Sequence, residues 1–265
     1  GDLARLGPLY EQAGFGARLA GVVGFARARL DGEVVVAEVG GDLAGVAAGA
    51  VFAGTGWVGG VAVAPAHRRA GLGGALTEAV VGYLEGRGTP TVLLHATALG
   101  RPVYQRLGFV PETDYLTLAG PTLPRSSLGP PVRPGRADDL GAVLALDRAV
   151  TGEDRRRLLT ALWPAGGLVA GGGGEPFGYH LASPWRSGGA TIAGDPQTGL
   201  ALLDAVRAGD GDEVSISLPA ANTAAVQALQ AAGFRERDRT VRMHRGPHVP
   251  WRPAAMFGAH NLFWG

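Results

Sequence analysis

The sequence predicts a mixed α/β protein, with mixed sheets of the α+β kind, built as two similar halves. Three observations predict it. An apolar strand-like run at residues 57–63 enters a glycine-rich turn and then an amphipathic helix. The order of helix and strand patterns in residues 1–122 returns in residues 132–265. Between them, Gly120–Pro131 holds four prolines, two serines and two glycines, the composition of a linker. With 265 residues, the chain is long enough for about two domains of roughly 150 residues each. The expected division is a first domain over 1–122, a linker over 123–131 and a second domain over 132–265.

In the first half, Leu3, Leu6, Leu9 and Tyr10 recur at helical spacing and predict a helix over 2–13, with a second over 15–29. Val34–Val39 and Leu43–Phe52 read as strands joined by the hairpin turn Gly40-Gly41-Asp42. A third strand follows over 56–63. Leu72, Leu76, Ala79, Val80 and Tyr83 share one face of a helix over 71–86. A strand over 91–95 and a helix over 101–107 close the half. In the second, Pro131-Val132-Arg133-Pro134 reads as an opening strand that has no counterpart before Asp2. Asp138-Asp139-Leu140 with Val143, Leu144 and Leu146 repeats the first helix, and Val214–Leu218 repeats the strand at 91–95. Leu107-Gly108-Phe109 and Ala232-Gly233-Phe234 both place glycine where a helix ends in the left-handed cap conformation. This ordered series predicts an internal duplication.

Composition narrows the chemistry. The chain has no cysteine and no lysine, which removes disulfides, thiolate metal ligands, a cysteine nucleophile, a Schiff base and a P-loop lysine. A net charge of +1 advertises neither a nucleic acid nor an anionic membrane as partner. Leu19–Phe25 is the most apolar run and is far short of the roughly 20 residues of a membrane span. No signal-peptide pattern is visible, and a cytoplasmic location is the expectation. The sequence begins at Gly1 without methionine, so residues upstream of it stay an open question.

The chemistry-bearing stretch is Trp57 to Leu76. Glycines let a ligand approach the backbone, and the free N–H groups and dipole at a helix start favour an anion such as a pyrophosphate. Arg68 and Arg69 add charge at its edge. There is no Gly-Lys-Ser/Thr of a P-loop. The antiparallel hairpin before the turn departs from a dinucleotide-binding unit.

Val61-Ala-Val-Ala-Pro-Ala-His-Arg68-Arg-Ala-Gly71-Leu-Gly73 resembles the acetyl-CoA signature of the GNAT superfamily of N-acetyltransferases. Tyr104-Gln-Arg-Leu-Gly108-Phe109, with Ala96–Val103 before it, resembles that superfamily's closing helix. The whole chain is similar to tandem GNAT proteins. The resemblance implies acetyl-CoA as cosubstrate, its pyrophosphate on the backbone amides of Arg69, Ala70, Gly71, Leu72, Gly73 and Gly74, and its pantetheine arm paired with the backbone of Val61, Ala62 and Val63. Tyr104 matches the position that often protonates the departing thiolate; a half-buried core aromatic is the other reading of it.

A primary amine has a pKa of about 10, so an acceptor must lose a proton before attacking a thioester. Glu38, at a strand end, is the candidate base named with Tyr104; His95, a water relay and the carboxylate of Gly265 are the alternatives. His67 reads as a solvated turn residue. The corresponding turn of the second half, Ile192 to Leu200, lacks the signature, and its Asp195 would repel a phosphate. That half is expected to be degenerate and to bind no CoA, with Asn222 capping its last helix. The aromatic tail Trp251–Gly265 should dock, either as packing or as a wall of the acceptor pocket. The implied function is transfer of an acetyl group to the primary amine of a small molecule by direct attack, with no nucleic acid, membrane or metal involved and a homodimer left open. A non-catalytic acyl-CoA-binding or CoA-sensing protein is the alternative.

Overall fold

The computed structural model describes residues 3–122, 129–171, 177–185, 188–208 and 213–265. Most of the expected linker, residues 123–128, lies outside them. The chain runs α1 (Leu3–Ala13), α2 (Leu19–Arg29), β1 (Val34–Val39), β2 (Asp42–Phe52), β3 (Thr55–Val63), α3 (Leu72–Gly86), β4 (Thr91–Ala96), α4 (Arg101–Arg106) and β5 (Val110–Pro121). It continues β6 (Val132–Pro134), α5 (Leu140–Thr151), α6 (Arg156–Leu162), β7 (Gly167–Ala170), β8 (Gly178–Ala182), β9 (Gly189–Ala193), α7 (Pro196–Arg207), β10 (Glu213–Pro219), α8 (Thr223–Ala231), β11 (Arg235–Arg245) and β12 (Met256–Gly258). No helix among the described residues is long and apolar enough to cross a membrane.

By compactness the chain groups into two units. One holds Gly1–Glu112, Arg242–His248 and Trp264; the other holds Thr113–Val241, Val249–Phe263 and Gly265. Compactness thus assigns 113–122 to the second unit and 242–248 to the first, where the sequence reading cuts at 122.

In the first unit, β1, β2 and β3 form an antiparallel meander, β4 runs parallel to β3, and the end of β11 follows β4. The helical stripe read in α1 is buried through Leu6, Leu9 and Tyr10, and α3 buries Leu76, Val80 and Leu84. Gly45 lets α3 come close, since a Cβ there would lie 2.8 Å from Leu76 Cδ1. In the second unit, β5 pairs antiparallel with β10, and a further sheet runs β12-β9-β8-β7-β6. Leu118, Ile216, Leu218, Leu229, Phe234 and Phe257 build part of its core.

The two helix-ending glycines adopt the same geometry. Gly108 has φ +84° and Gly233 φ +88°. The N–H groups of Phe109 and Phe234 each return to the carbonyl five residues back, on Tyr104 and Leu229, at 3.0 Å.

Candidate active site

The site starts from an irregularity in β3. Its register against β2 runs Val63 to Gly45 and Ala62 to Val46, then skips to Gly59 against Ala48. β3 therefore carries one extra residue, a β-bulge. Gly60 sits in it at φ +60°, a conformation that costs a side-chain-bearing residue roughly 1 kcal/mol. The phenol of Tyr10 donates to the Gly60 carbonyl at 2.9 Å and fixes the bulge from α1.

Beyond the bulge the sheet opens. β3 pairs with β4 from Thr55–Thr91 to Val58–Leu94 and no further, although β3 continues to Val63 and β4 to Ala96. The stretch Gly59–Val63 thus borders a wedge on its β4 side. Val61, Ala62 and Val63 lie in that stretch.

The turn after β3 presents amides. Arg69 has φ +66° and Gly71 φ +81°. Alternation of left-handed residues with ordinary ones turns successive N–H groups the same way, which makes an anion nest. Gly71 is the N-cap of α3 and supplies no side-chain cap. The Ala75 N–H closes on the Gly71 carbonyl at 3.1 Å, so the N–H groups of Leu72, Gly73 and Gly74 belong to the helix's unclosed first turn. A Cβ on Gly73 or Gly74 would meet only Val63 or Val103 at 3.7 Å, so the backbone there is open to a ligand. Ala70, between Arg69 and Gly71, is exposed. Arg68 serves the loop. Its guanidinium donates to the Val63 carbonyl at 3.1 Å and to the Ala13 carbonyl at 3.2 Å, tying the turn to α1. Arg69 stays exposed, and His67 ends a short 3-10 turn.

Tyr104 lies on α4, which packs against α3. It follows Val103, which flanks Gly74, and its ring lies against Gly100 and at 6.1 Å from Phe109. Among the described residues its phenol has no hydrogen-bond partner, and burial pushes its pKa up to about 12. It therefore stays protonated throughout the neutral range, as an acid must.

Glu38 does not come to Tyr104 by any contact in the structure. The registers place Ala37 abreast of Gly45 and Gly45 abreast of Val63, so Glu38 lies beyond the end of β3. That is three to four residues from the bulge, about 10 Å along the sheet, and two strands across. Its carboxylate is exposed and held by Arg5 at 2.6 Å. The carbonyl of Gly265 takes a bond of 3.0 Å from Arg155, which is buried with Asp147 and Tyr179 in the second unit.

His95 sits at the mouth of the wedge, one residue past Leu94, and stacks on Trp57 with centroids 5.3 Å apart. Burial and the Arg242 charge lower its pKa to about 3, too low for a useful base at neutral pH. Arg242 lies 5.7 Å from the centroid of Trp57 and pairs with the buried Glu112. Glu112 and Arg242 were not among the sequence candidates. Their only sequence signal is the period-two pattern Thr240, Arg242, His244 near the end of β11, which reads as an ordinary exposed strand face.

The corresponding place in the second unit is closed. Asp195 is the N-cap of α7; its carboxylate accepts from the Thr198 N–H at 2.9 Å and the Thr198 hydroxyl at 2.7 Å. Pro196 follows it without an N–H. β12 lies against β9, Gly258 opposite Thr191 and Met256 opposite Ile192. The Ala259 N–H bonds to the Ser217 carbonyl of β10 at 2.6 Å. The tail has thus docked, with Met256–Asn261 buried. Asn222 caps α8 through the Ala225 N–H at 3.1 Å and holds the Met256 carbonyl at 3.0 Å. Among the described residues no group of three His, Asp or Glu side chains is placed so that it could hold a metal ion.

A bulged strand, a parallel neighbour that parts from it and an uncapped helix beyond define the acyltransferase module that the sequence resembles. Family models bear this out twice: one acetyltransferase (GNAT) domain model matches residues 30–111 and another matches residues 143–258. The chain belongs to the GNAT acetyltransferases, with two GNAT domains in tandem, and is a transferase.

Solved structures share the fold. A putative acetyltransferase from Pyrococcus horikoshii aligns over 100% of this chain and 92% of its own, at 18% identity and a TM-score of 0.83. A GCN5-related N-acetyltransferase from Sphaerobacter thermophilus aligns over 94% of each chain, at 20% identity and a TM-score of 0.68. A tandem GNAT protein from the clavulanic acid biosynthesis pathway aligns over 93% of this chain and 95% of its own, at 16% identity and a TM-score of 0.62. No curated protein matches the chain.

Proposed function

We propose that this transferase moves the acetyl group of acetyl-CoA to the primary amine of a small molecule, and that it does so at the first unit's wedge. The observation that carries the reading is the open wedge beside Gly59–Val63 ending at a helix start with no side-chain cap. An anion and an extended amide-bearing arm fit those two features together. The amides from Arg69 to Gly74 hold the pyrophosphate, and the backbone of Val61–Val63 holds the pantetheine. The acceptor ammonium first gives up a proton. Its nitrogen then adds to the thioester carbonyl, the C–S bond breaks as the tetrahedral intermediate collapses, and the amide nitrogen sheds a second proton. Tyr104 donates to the departing thiolate. With neither cysteine nor lysine in the chain, direct attack is the economical route.

Calorimetric titration with acetyl-CoA tests the reading. One site per chain is expected, and Gly71→Glu should weaken it at least about 100-fold. The new carboxylate would stand in the nest at a left-handed position. Two sites per chain would show the second unit to be competent. Binding without turnover of any amine would make the chain a CoA-binding protein, and no binding would end the cofactor assignment.

A further inference from the structure

The buried stripe of α1 carries one polar group. Leu6, Leu9 and Tyr10 share that stripe, and a phenylalanine in place of Tyr10 would fill the same space. Burying the hydroxyl costs free energy, which its bond of 2.9 Å to the Gly60 carbonyl offsets. Burial also pushes the phenol's pKa up, so the oxygen keeps the proton it donates.

The Gly60 carbonyl depends on this donor because the neighbouring strand offers it none. The register passes from Ala62–Val46 to Gly59–Ala48, so Gly60 and Val61 together face Ala47. Ala47 is turned the other way. The Gly49 N–H bonds to the Glu33 carbonyl, and ladder bonds recur at every second residue, so Ala47 gives its backbone groups to Val35 of β1. The same alternation aims the next amide. The Ala64 N–H bonds to the Ala44 carbonyl, so Ala62, two residues back, also faces β2. Val61 is then turned to the opposite edge, where β4 has parted after Val58–Leu94. The Gly60 carbonyl and the Val61 N–H project in opposite directions from one trans peptide plane. Holding that carbonyl toward α1 therefore holds the N–H toward the wedge. Gly60, at φ +60° and without a Cβ, would otherwise leave the plane free to turn.

We propose that Tyr10 is a positioning residue for the acyl transfer: by holding the Gly60 carbonyl it aims the Val61 N–H at the thioester oxygen. The inference rests on the wedge being the acetyl-CoA site. The arm enters from the nest past Val63, so its acyl end lies beside Val61, next to the bulge. As the amine nitrogen adds to the carbonyl carbon, the π pair moves onto oxygen, and the bond from the Val61 N–H strengthens as that charge builds. When the intermediate collapses the pair returns and the C–S bond breaks. Such a donor must stay within about 0.5 Å of its productive place. Tyr10 touches neither substrate nor cofactor and acts only through the Gly60–Val61 plane.

The test reads the thioester itself. Acetyl-CoA labelled with ¹³C at its carbonyl should show that resonance moved downfield on binding to the unaltered protein, as polarisation by a hydrogen bond requires. Tyr10→Phe should keep the calorimetric affinity for acetyl-CoA and lose most of the downfield shift. With putrescine, 2-phenylethylamine and glucosamine as amine probes, it should lower kcat about 10-fold, less than outright loss of an oxyanion donor. The KM for acetyl-CoA should not change. Gly60→Ala disturbs the same plane from its other side and carries the measurement if Tyr10→Phe does not fold. The two changes together should lower kcat no further than the larger of them alone. An unmoved resonance in the unaltered protein overturns the proposal. So does a Tyr10→Phe variant that keeps the shift, whatever its kcat, because any loss would then come from general loosening. Where no probe is turned over, the resonance decides. Failure of the unaltered protein to bind acetyl-CoA overturns the cofactor reading and this one with it, and calorimetry shows that before any variant is made.

Discussion

The same fold is used twice in this chain, and the wedge is left open in one unit and filled in the other. Beside Gly59–Val63 the strand edge faces a gap, and the first turn of α3 has no side chain across its amides. Beside β9 the equivalent edge is taken by β12, and Asp195 covers the first turn of α7. The second unit satisfies its own backbone with protein atoms: a strand stands where an amide-bearing arm would lie, and a carboxylate where an anion would bind. The difference teaches that a GNAT fold needs something in the wedge or an exposed strand edge there. In the second unit the chain supplies that occupant from its own tail.

The sharpest way to break that comparison is to empty the second wedge. Phe257 of β12 is fully buried, and its ring presses on Gly199 of α7 so closely that a Cβ there would lie 2.3 Å away. Phe257→Ala should cost about 3–5 kcal/mol in chemical denaturation, the usual range for a buried aromatic. Acetyl-CoA stoichiometry should stay at one. A second site in this variant would mean that the tail alone had closed the wedge and that Asp195 is no barrier.

Much of this was legible in the sequence, and the limits are physical. Local patterns placed α1 through α4 to within a few residues, because Leu6, Leu9, Tyr10, Leu76 and Val80 mark buried faces at helical period. The glycines at 108 and 233 announced backbone conformations that the structure contains. The separation of Glu38 from the bulge follows from strand register, which sets distance along a sheet and is not written in any one strand. β12 was invisible as a strand. Met256-Phe257-Gly258 is too short to carry a period, and only its contacts with β9 and β10 make it one. Glu112 and Arg242 are 130 residues apart in the chain, so no local motif joins them.

A second comparison can be made through pH. Each unit keeps a buried neutral histidine near its wedge. His95 stands at the open one, with a pKa lowered to about 3 by burial and by Arg242. His180 on β8 faces Thr191 at 2.9 Å, beneath the filled one, with a pKa lowered to about 4 by burial. In the unfolded chain both rings take a proton near pH 6.5, whereas the folded rings refuse it until far lower. Their contribution is complete above pH 6.5 and is lost as the pH falls toward 4. Each should give a slope of about 1.4 kcal/mol per pH unit in that window. Denaturation of His95→Gln and His180→Gln between about pH 6 and pH 4.5 should show one slope removed in each variant. An undiminished slope in His180→Gln would mean that the filled wedge does not seal its histidine from water.

The smallest effect concerns the cap alone. Asp195→Ala should cost about 1 kcal/mol, the loss of one N-cap. It should not create an acetyl-CoA site, for two reasons that remain after the carboxylate is gone. Pro196 has no N–H to offer at the first helical position, and the edge of β9 still belongs to β12. Titration of Asp195→Ala beside the unaltered protein reads both statements in one experiment. A stoichiometry that rises from one to two would show that a single carboxylate separates the silent unit from the active one, and that the strand in its wedge yields to a ligand.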